Sequence, residues 1–327
     1  MNDFLSVSGV SKKTGQGFEL KNIHFEQKKL QKIAIAGETG SGKSTLLKVI
    51  AGLTQPDAGE VHFEQQRVLG PEEKLIPGHA RIAYLSQYFE LRNNYRVEEI
   101  LQMANKIPDE QAALIYAVCC VDHLLQRRTD QLSGGEKQRI AMARLLITSP
   151  RLLLLDEPFS NLDLAHKRIL KLAITDITEK LTLSCILISH DPLDTLSWAD
   201  EILVMKEGKI LQKGTPENVY KRPANEYAAA LFGKYNLLSP ALAAEFTGLL
   251  EADKTKDLLV RPEEIKMVPG EGSGAVGMVK KVTFFGGYYE LEVLVRNQIL
   301  IVKSDVNGVA ERATVNLSIP NSTPWYI

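Results

Sequence analysis

At 327 residues, 44% hydrophobic and 24% charged, the chain is large enough for about two soluble globular domains. Its formal net charge of -1 argues against a broad electrostatic grip on nucleic acid. No stretch approaches the ~18 uncharged apolar residues of a bilayer span, and the start Met1-Asn2-Asp3 has no basic segment leading into an apolar run, so a cytoplasmic protein is expected.

In chain order, residues 3–27 and 60–69 carry alternating segments, Ile23-His24-Phe25-Glu26 and Val61-His62-Phe63-Glu64, with the period of half-buried antiparallel strands. Between them Lys32-Ile33-Ala34-Ile35-Ala36 reads as a buried strand running into Gly37-Glu38-Thr39-Gly40-Ser41-Gly42-Lys43-Ser44, a complete G-x-x-x-x-G-K-[ST] loop. A helix is predicted after Lys43, with Leu46, Val49 and Ile50 as its core stripe and Gly52 as a left-handed stop. Residues 97–125 read as helical, interrupted by Pro108. Leu132-Ser133-Gly134-Gly135-Glu136 has capping-box spacing and opens a helix whose core row is Ile140, Ala143 and Ile147. Strand-like residues 152–155, 185–188 and 202–205 then alternate with a helix over 164–181, which predicts a mostly parallel sheet covered by helices.

Lys206-Glu207-Gly208-Lys209 is a tight turn between strands, and Thr215-Pro216 starts a helix expected to run to Leu231. Beyond Gly233 the character changes. Residues 258–319 are rich in Val, Ile, Phe and Tyr, with turn residues at 269–274, Gly286-Gly287, Asn297 and Gly308. Ala313, Val315, Leu317 and Ile319 alternate with polar residues, as when one sheet face is buried, so this is a second, all-β domain. Residues 236–256 connect the two, with an undecided share of helix. Cys119, Cys120 and Cys185 lack the spacing of a disulfide framework or zinc site and read as small buried or half-buried apolar residues.

The chemistry concentrates in few places. Glycines at 37, 40 and 42 let successive N–H groups and the following helix N-terminus stabilise anionic oxygens. Lys43 adds a cation for the β and γ phosphates, and the Ser44 hydroxyl suits Mg²⁺. Leu152-Leu153-Leu154-Leu155-Asp156-Glu157 is a buried strand ending in two carboxylates, a costly arrangement without a cation or specific hydrogen bonds. Asp156 suits Mg²⁺ through its water shell, and Glu157 suits a water aligned with the γ phosphate. Taken alone, an Asp-Glu strand end is often a capped turn, and Ser133 to Glu136 an ordinary capped helix that can also hold an anion. His190 ends the apolar strand Cys185-Ile186-Leu187-Ile188-Ser189, where ligands of open sheets collect; His24, His62, His79, His123 and His166 read as structural or solvated.

The ordered set resembles the nucleotide-binding subunits of ATP-binding cassette transporters. Gly37 to Ser44 correspond to Walker A, with Thr45 next, Gln87 in Leu85-Ser86-Gln87 to the Q-loop, and Leu132 to Glu136 to the signature. Residues 152–157 correspond to Walker B, Ser160-Asn161-Leu162-Asp163 to the D-loop, and His190 to the switch histidine. The resemblance implies an α/β phosphate-loop cassette over residues 1–235, its mostly parallel sheet joined by an antiparallel β subdomain and a helical subdomain at about 88–135. It implies ATP contacts from Gly37, Glu38, Thr39, Gly40, Ser41, Gly42, Lys43, Ser44, Thr45, Gln87 and Asp163, and from Ser133, Gly134 and Gly135. It further implies Mg²⁺ at Ser44, Gln87 and Asp156, and hydrolysis with Lys43, Glu157 and His190. In such a homodimer two cassettes close head to tail around two ATP molecules, each signature serving the other's nucleotide. The closure drives membrane-spanning permease subunits at the cytoplasmic face of the membrane, and a solute-binding protein is an indirect partner.

Val260-Arg261-Pro262-Glu263-Glu264-Ile265 followed by Phe284-Phe285-Gly286-Gly287-Tyr288-Tyr289-Glu290 resembles the transport-associated OB barrel of bacterial importer motors, here over 236–327 with its linker. That favours import over export. Two positions depart from the family pattern. Thr14 stands where an aromatic residue commonly stacks on adenine, with Phe18 a nearby alternative, and Asn161 replaces the usual D-loop alanine. Two rival readings remain. One is a soluble cassette protein acting on ribosomes or DNA; such proteins carry two fused cassettes or a long coiled-coil insertion, whereas this sequence reads as one cassette with no such insertion. The other makes the β domain a nucleic-acid binder through Lys280, Lys281, Phe284, Phe285, Tyr288 and Tyr289, although aromatics at strand ends are more often core.

Overall fold

Four consecutive leucines, Leu152 to Leu155, suit a strand covered on both faces, since alternate side chains then enter opposite cores. The computed structural model describes residues 4–15, 17, 19–86, 91, 93–160, 164–247, 255–268, 274–319 and 324–327. The chain divides into two compact units, Met1–Pro216 and Glu217–Ile327.

The first unit runs β1 (Leu5–Lys13), β2 (Glu19–Gln27), β3 (Lys32–Ala36), α1 (Lys43–Ile50), β4 (Ala58–Phe63), β5 (Gln66–Arg67) and β6 (Ile82–Leu85). It continues through α2 (Val97–Ala104), α3 (Asp109–Val118), α4 (Gly134–Leu146), β7 (Leu152–Asp156), α5 (Leu164–Lys180), β8 (Ser184–Ile188), α6 (Pro192–Leu196), β9 (Glu201–Lys206) and β10 (Lys209–Gly214). Six strands form one sheet in the order β10-β9-β3-β8-β7-β6, parallel except for the β9–β10 hairpin. Leu153, Leu155, Cys185 and Leu187 pack on one face with Ile140 and Ala143 of α4 and Ile174 of α5. Leu152, Leu154, Ile186 and Ile188 pack on the other with Leu46, Leu47, Val49 and Ile50 of α1. The antiparallel sheet β2-β1-β4-β5 closes that second core through Leu5, Ile23 and Phe63. Helix α1 stops as expected, with Gly52 at φ 72°, and α3 starts directly after Pro108. Among the described residues no helix is long and apolar enough to cross a membrane.

The division falls one residue into α7 (Pro216–Lys221), and the second unit continues with α8 (Glu226–Leu231), β11 (Asn236–Leu238) and α9 (Pro240–Thr247). It then runs β12 (Leu258–Val260), β13 (Lys266–Val268), β14 (Ala275–Phe284), β15 (Tyr289–Val295), β16 (Gln298–Ser304), β17 (Thr314–Ser318) and β18 (Trp325–Tyr326). Its sheets are β11-β12-β18 and β13-β17-β14-β15-β16, all antiparallel. Alternate residues, among them Val279, Leu291, Val293, Leu300 and Val302, fill their shared core with Leu242, Ala243 and Phe246 of α9, and the described residues of 258–327 carry strands alone as expected.

Three expectations are corrected. The helix from Thr215-Pro216 to Leu231 is two helices, because Pro223 lacks the N–H needed to continue, and Asn225 caps the second by accepting the Ala228 N–H at 3.0 Å. Cys120 is exposed, in a left-handed turn after α3, whereas Cys119 and Cys185 are buried. Phe284 and Phe285 are not core. They are 63% and 49% exposed at the β14–β15 turn, where they pair across the hairpin with Tyr289 and Tyr288 at ring distances of 5.1 and 5.4 Å. Residues 217–235 lie within the second unit, whose Arg261 is 1% exposed. The Arg261 guanidinium donates to the backbone carbonyls of Ala229, Gly233 and Lys234, each at 3.1 Å, and of Tyr220 at 2.9 Å.

Candidate active site

The glycine loop leaves β3 in the middle of the sheet, and its conformation explains its composition. A Cβ on Gly37 would lie 2.3 Å from the Met205 carbonyl oxygen of β9, so only glycine lets the loop pass that strand. Gly40 and Gly42 have φ 85° and 99°, left-handed values that glycine adopts at little cost, and Gly42 is the N-cap of α1. The Gly208 N–H donates to the Ser41 carbonyl at 3.2 Å, fastening the loop to the β9–β10 turn. Glu38, Thr39 and Gly40 are exposed at its crest, and Thr45 is half-buried on the first turn of α1.

Lys43 is nearly buried, and its ammonium donates to the Gly37 and Glu38 carbonyls, both at 2.8 Å. Burial lowers its pKa below the ordinary lysine value, while the charges of Glu157, Asp156 and Glu38 oppose that shift. Several carboxylates thus face one cation at the mouth of a helix N-terminus. The arrangement suits a polyanion that itself brings counter-charge.

Asp156 ends β7 and is 4% exposed. Its Oδ1 accepts from the Ser44 hydroxyl at 2.9 Å and its Oδ2 from the Tyr84 hydroxyl at 2.8 Å. Burial and the Asp156 charge push the Tyr84 phenol above its ordinary pKa. The fold therefore joins a residue of α1 to one 112 positions later. Ser44 and Asp156 offer hard oxygen donors beside the phosphate loop, the donor chemistry that fits Mg²⁺ supplied with a nucleotide. Among the described residues no group of three His, Cys, Asp or Glu side chains forms a resident metal centre.

Glu157 leaves the strand in a left-handed conformation, φ 48°, which costs a non-glycine residue roughly 1–2 kcal/mol. Its N–H bonds the Ile188 carbonyl at 3.1 Å, so the strain is imposed by β8. Its Oε2 lies 3.4 Å from Nδ1 of His190, which follows the end of β8. The turn thus separates the two carboxylates, Asp156 toward Ser44 and Glu157 toward His190.

His190 stands on a braced loop. The Ser189 hydroxyl donates to buried Asp194 at 2.8 Å and accepts the Asp191 N–H at 3.1 Å. Lys167 and Lys171 of α5 ion-pair with Asp194, and Lys167 also bonds Asp191. At the signature, Ser133 caps α4: the Glu136 N–H donates to its Oγ at 3.3 Å, and Glu136 Oε2 accepts the Ser133 N–H at 2.8 Å. That backbone hydrogen bond holds the Glu136 carboxyl below the usual range. Ile140, Ala143 and Ile147 are fully buried, and a Cβ on Gly134 would meet nothing within 4 Å, leaving this helix start open to a ligand.

Gln87, Phe18, Asn161 and Asp163 lie outside the described residues. Thr14 is exposed at the end of β1. Sequence reasoning missed Tyr84 and the Lys167–Asp194–Ser189 brace. Both depend on which strands and helices become neighbours, and neither has a local pattern of its own.

Comparison with known proteins agrees with this geometry. Residues 20–160 match the ABC transporter family. The chain is 32% identical to the spermidine/putrescine import ATP-binding protein PotA of Clostridium acetobutylicum, over 91% of this chain and 89% of that protein. It is 34% identical to the Fe(3+) ions import ATP-binding protein FbpC 1 of Rhodococcus jostii, over 86% and 85%. A solved ATP-binding cassette of an ABC transporter in its ADP conformation matches with a TM-score of 0.60 at 23% identity, over 71% of this chain and 99% of that one, a likeness of fold. With the phosphate loop, the paired strand-end carboxylates and the capped signature helix in one cassette, the chain belongs to the ATP-hydrolysing subunits of ATP-binding cassette transporters.

Proposed function

We infer that this protein is the ATP-driven motor of a bacterial-type importer, working as a homodimer on membrane-spanning permease subunits at the cytoplasmic face of the membrane. The observation that carries the reading is the convergence of Lys43, Ser44, Asp156, Glu157 and His190 at the carboxyl ends of β3, β7 and β8. Import is supported by the relatives' printed names. Because a polyamine and an Fe(3+) import protein match about equally well, cargo choice is assigned to the permease and solute-binding subunits.

In the mechanism, the loop N–H groups and Lys43 hold the ATP phosphates, exchanging the lysine's loop carbonyls for phosphate oxygens. Ser44 and Asp156, with Gln87, would hold Mg²⁺, whose charge would offset that of the phosphate oxygens. Glu157 aligns and polarises the attacking water, and His190 holds that carboxylate in place from Nδ1. Ser133 and Gly135 at the start of α4 serve the nucleotide of the second subunit, so closure of the dimer completes both sites. The β region contributes dimer contacts or responds to a small effector.

Glu157→Gln tests the assignment. Turnover falls by at least about 100-fold while ATP accumulates in a dimer; unchanged hydrolysis overturns the role of Glu157. Affinity capture from the native cell tests the partner: recovery of a multi-span permease supports the motor, and recovery with ribosomes or DNA instead overturns it.

A further inference from the structure

We propose that Tyr84 is a positioning residue for Asp156, holding one oxygen of that carboxylate so that the other stays aimed at Ser44 and the Mg²⁺ position. The inference rests on the reading of Ser44 and Asp156 as metal-holding groups. Its starting point is that the two oxygens of Asp156 have different partners on different elements. Oδ1 takes the Ser44 hydroxyl of α1 at 2.9 Å, and Oδ2 takes the Tyr84 hydroxyl of β6 at 2.8 Å. An ionised carboxylate only accepts, so both hydroxyls donate. With a donor on each oxygen, rotation about the Cβ–Cγ bond breaks both bonds, and the plane of the carboxylate is set.

The two donors are not equivalent. Ser44 is itself a proposed metal ligand, so its hydroxyl has a second task once nucleotide and metal arrive. Tyr84 has none, and its bond to Oδ2 persists through that exchange. Its ring is fixed independently of the site: β6 pairs in parallel with β7, Tyr84 opposite Leu154, and the ring packs against the core that Leu152, Leu154 and Leu46 share. A donor anchored by a strand and a packed ring orients a ligand more tightly than a surface side chain can. Strand β6 also ends at Leu85, two positions before Gln87 in sequence. The strand leading to the proposed sensor of metal and permease is therefore tied to the metal carboxylate by one hydrogen bond.

Tyr84→Phe in the full-length protein tests this, because it removes the hydroxyl and keeps the ring. Binding of a fluorescent non-hydrolysable ATP analogue is measured in EDTA and across a Mg²⁺ titration, and Mn²⁺ is followed by electron paramagnetic resonance as a direct metal probe. The expected result is about a tenfold loss of Mg²⁺ and Mn²⁺ affinity with analogue affinity in EDTA unchanged. Adding Tyr84→Phe to Asp156→Asn then causes no further loss. Wild-type metal affinity in Tyr84→Phe overturns the inference alone, as does an equal loss of analogue affinity in EDTA, which marks general damage to the pocket. A wild-type chain with no metal-dependent binding overturns the site reading and this inference together.

Discussion

Gly37 is where composition and geometry are most tightly bound. A methyl group there would approach the Met205 carbonyl to 2.3 Å, and the obstacle is strand backbone that cannot rotate aside. Gly37→Ala must therefore shift the loop, at a cost of about 1–3 kcal/mol, and the shift displaces the carbonyls that orient Lys43. We expect a lower unfolding midpoint and at least a tenfold loss of ATP affinity, read by denaturant titration and equilibrium binding. Wild-type values for both would show that the close approach does not constrain the loop. At this scale the sequence is legible where a residue's role depends on its near neighbours in the chain. Lys43, Ser44, Asp156 and Glu157 belong to short motifs with known chemistry, and Ser133 with Glu136 is a capping box readable from spacing alone. Tyr84 is not legible. Ile82-Ala83-Tyr84-Leu85 looks like any buried strand, and only the β6–β7 register puts the phenol against Asp156.

Between elements, the loop bearing His190 is held by α5 through charge. Buried Asp194 takes Ser189 on one oxygen and faces Lys167 and Lys171 with the other. Removing its carboxylate leaves the Ser189 hydroxyl without its acceptor and Lys171 without its ion pair, while Lys167 keeps Asp191, so Asp194→Ala should destabilise the protein by about 1–3 kcal/mol. The same network gives a pH dependence. Burial alone would raise the Asp191 pKa, but hydrogen bonds from Lys167 and the Leu193 N–H outweigh it and hold the carboxyl below the usual aspartate range. Its stabilising contribution is complete above the unfolded value of about 3.9 and is lost as pH falls through the lower folded value. The stability gap between wild type and Asp191→Asn, measured by urea unfolding, should be open at pH 7 and narrow as pH falls below about 3.9. A gap independent of pH would mean that charge is not what braces the loop. Most elements were legible because hydrophobic periodicity and glycine or proline stops bound them. The break at Pro223 was missed because residues on both sides keep helical character, and the exposed Phe284 and Phe285 because aromatic composition does not reveal which face of a hairpin tip is covered.

For the whole molecule, the proposed head-to-tail dimer makes each chain hold half of two sites, and that division can be tested with damaged halves. Lys43→Ala removes the phosphate-loop cation, and Ser133→Arg places a bulky cation at the signature helix start. In a homodimer of either variant both sites carry the lesion. In a mixed dimer one site carries both lesions, while the other combines the intact phosphate loop of one chain with the intact signature of its partner. Placing both variants in a Glu157→Gln background lets closed dimers accumulate without turnover, so mass and bound nucleotide can be counted by sedimentation. Neither variant alone should form an ATP-dependent dimer, whereas an equimolar mixture should, with roughly one ATP per pair of chains. If each chain instead used its own signature, mixing could not restore a site, because every phosphate loop would remain joined to the lesion in its own chain. Recovery on mixing therefore assigns Ser133 to the partner's nucleotide, and a mixture that stays monomeric removes the shared-site dimer from the mechanism.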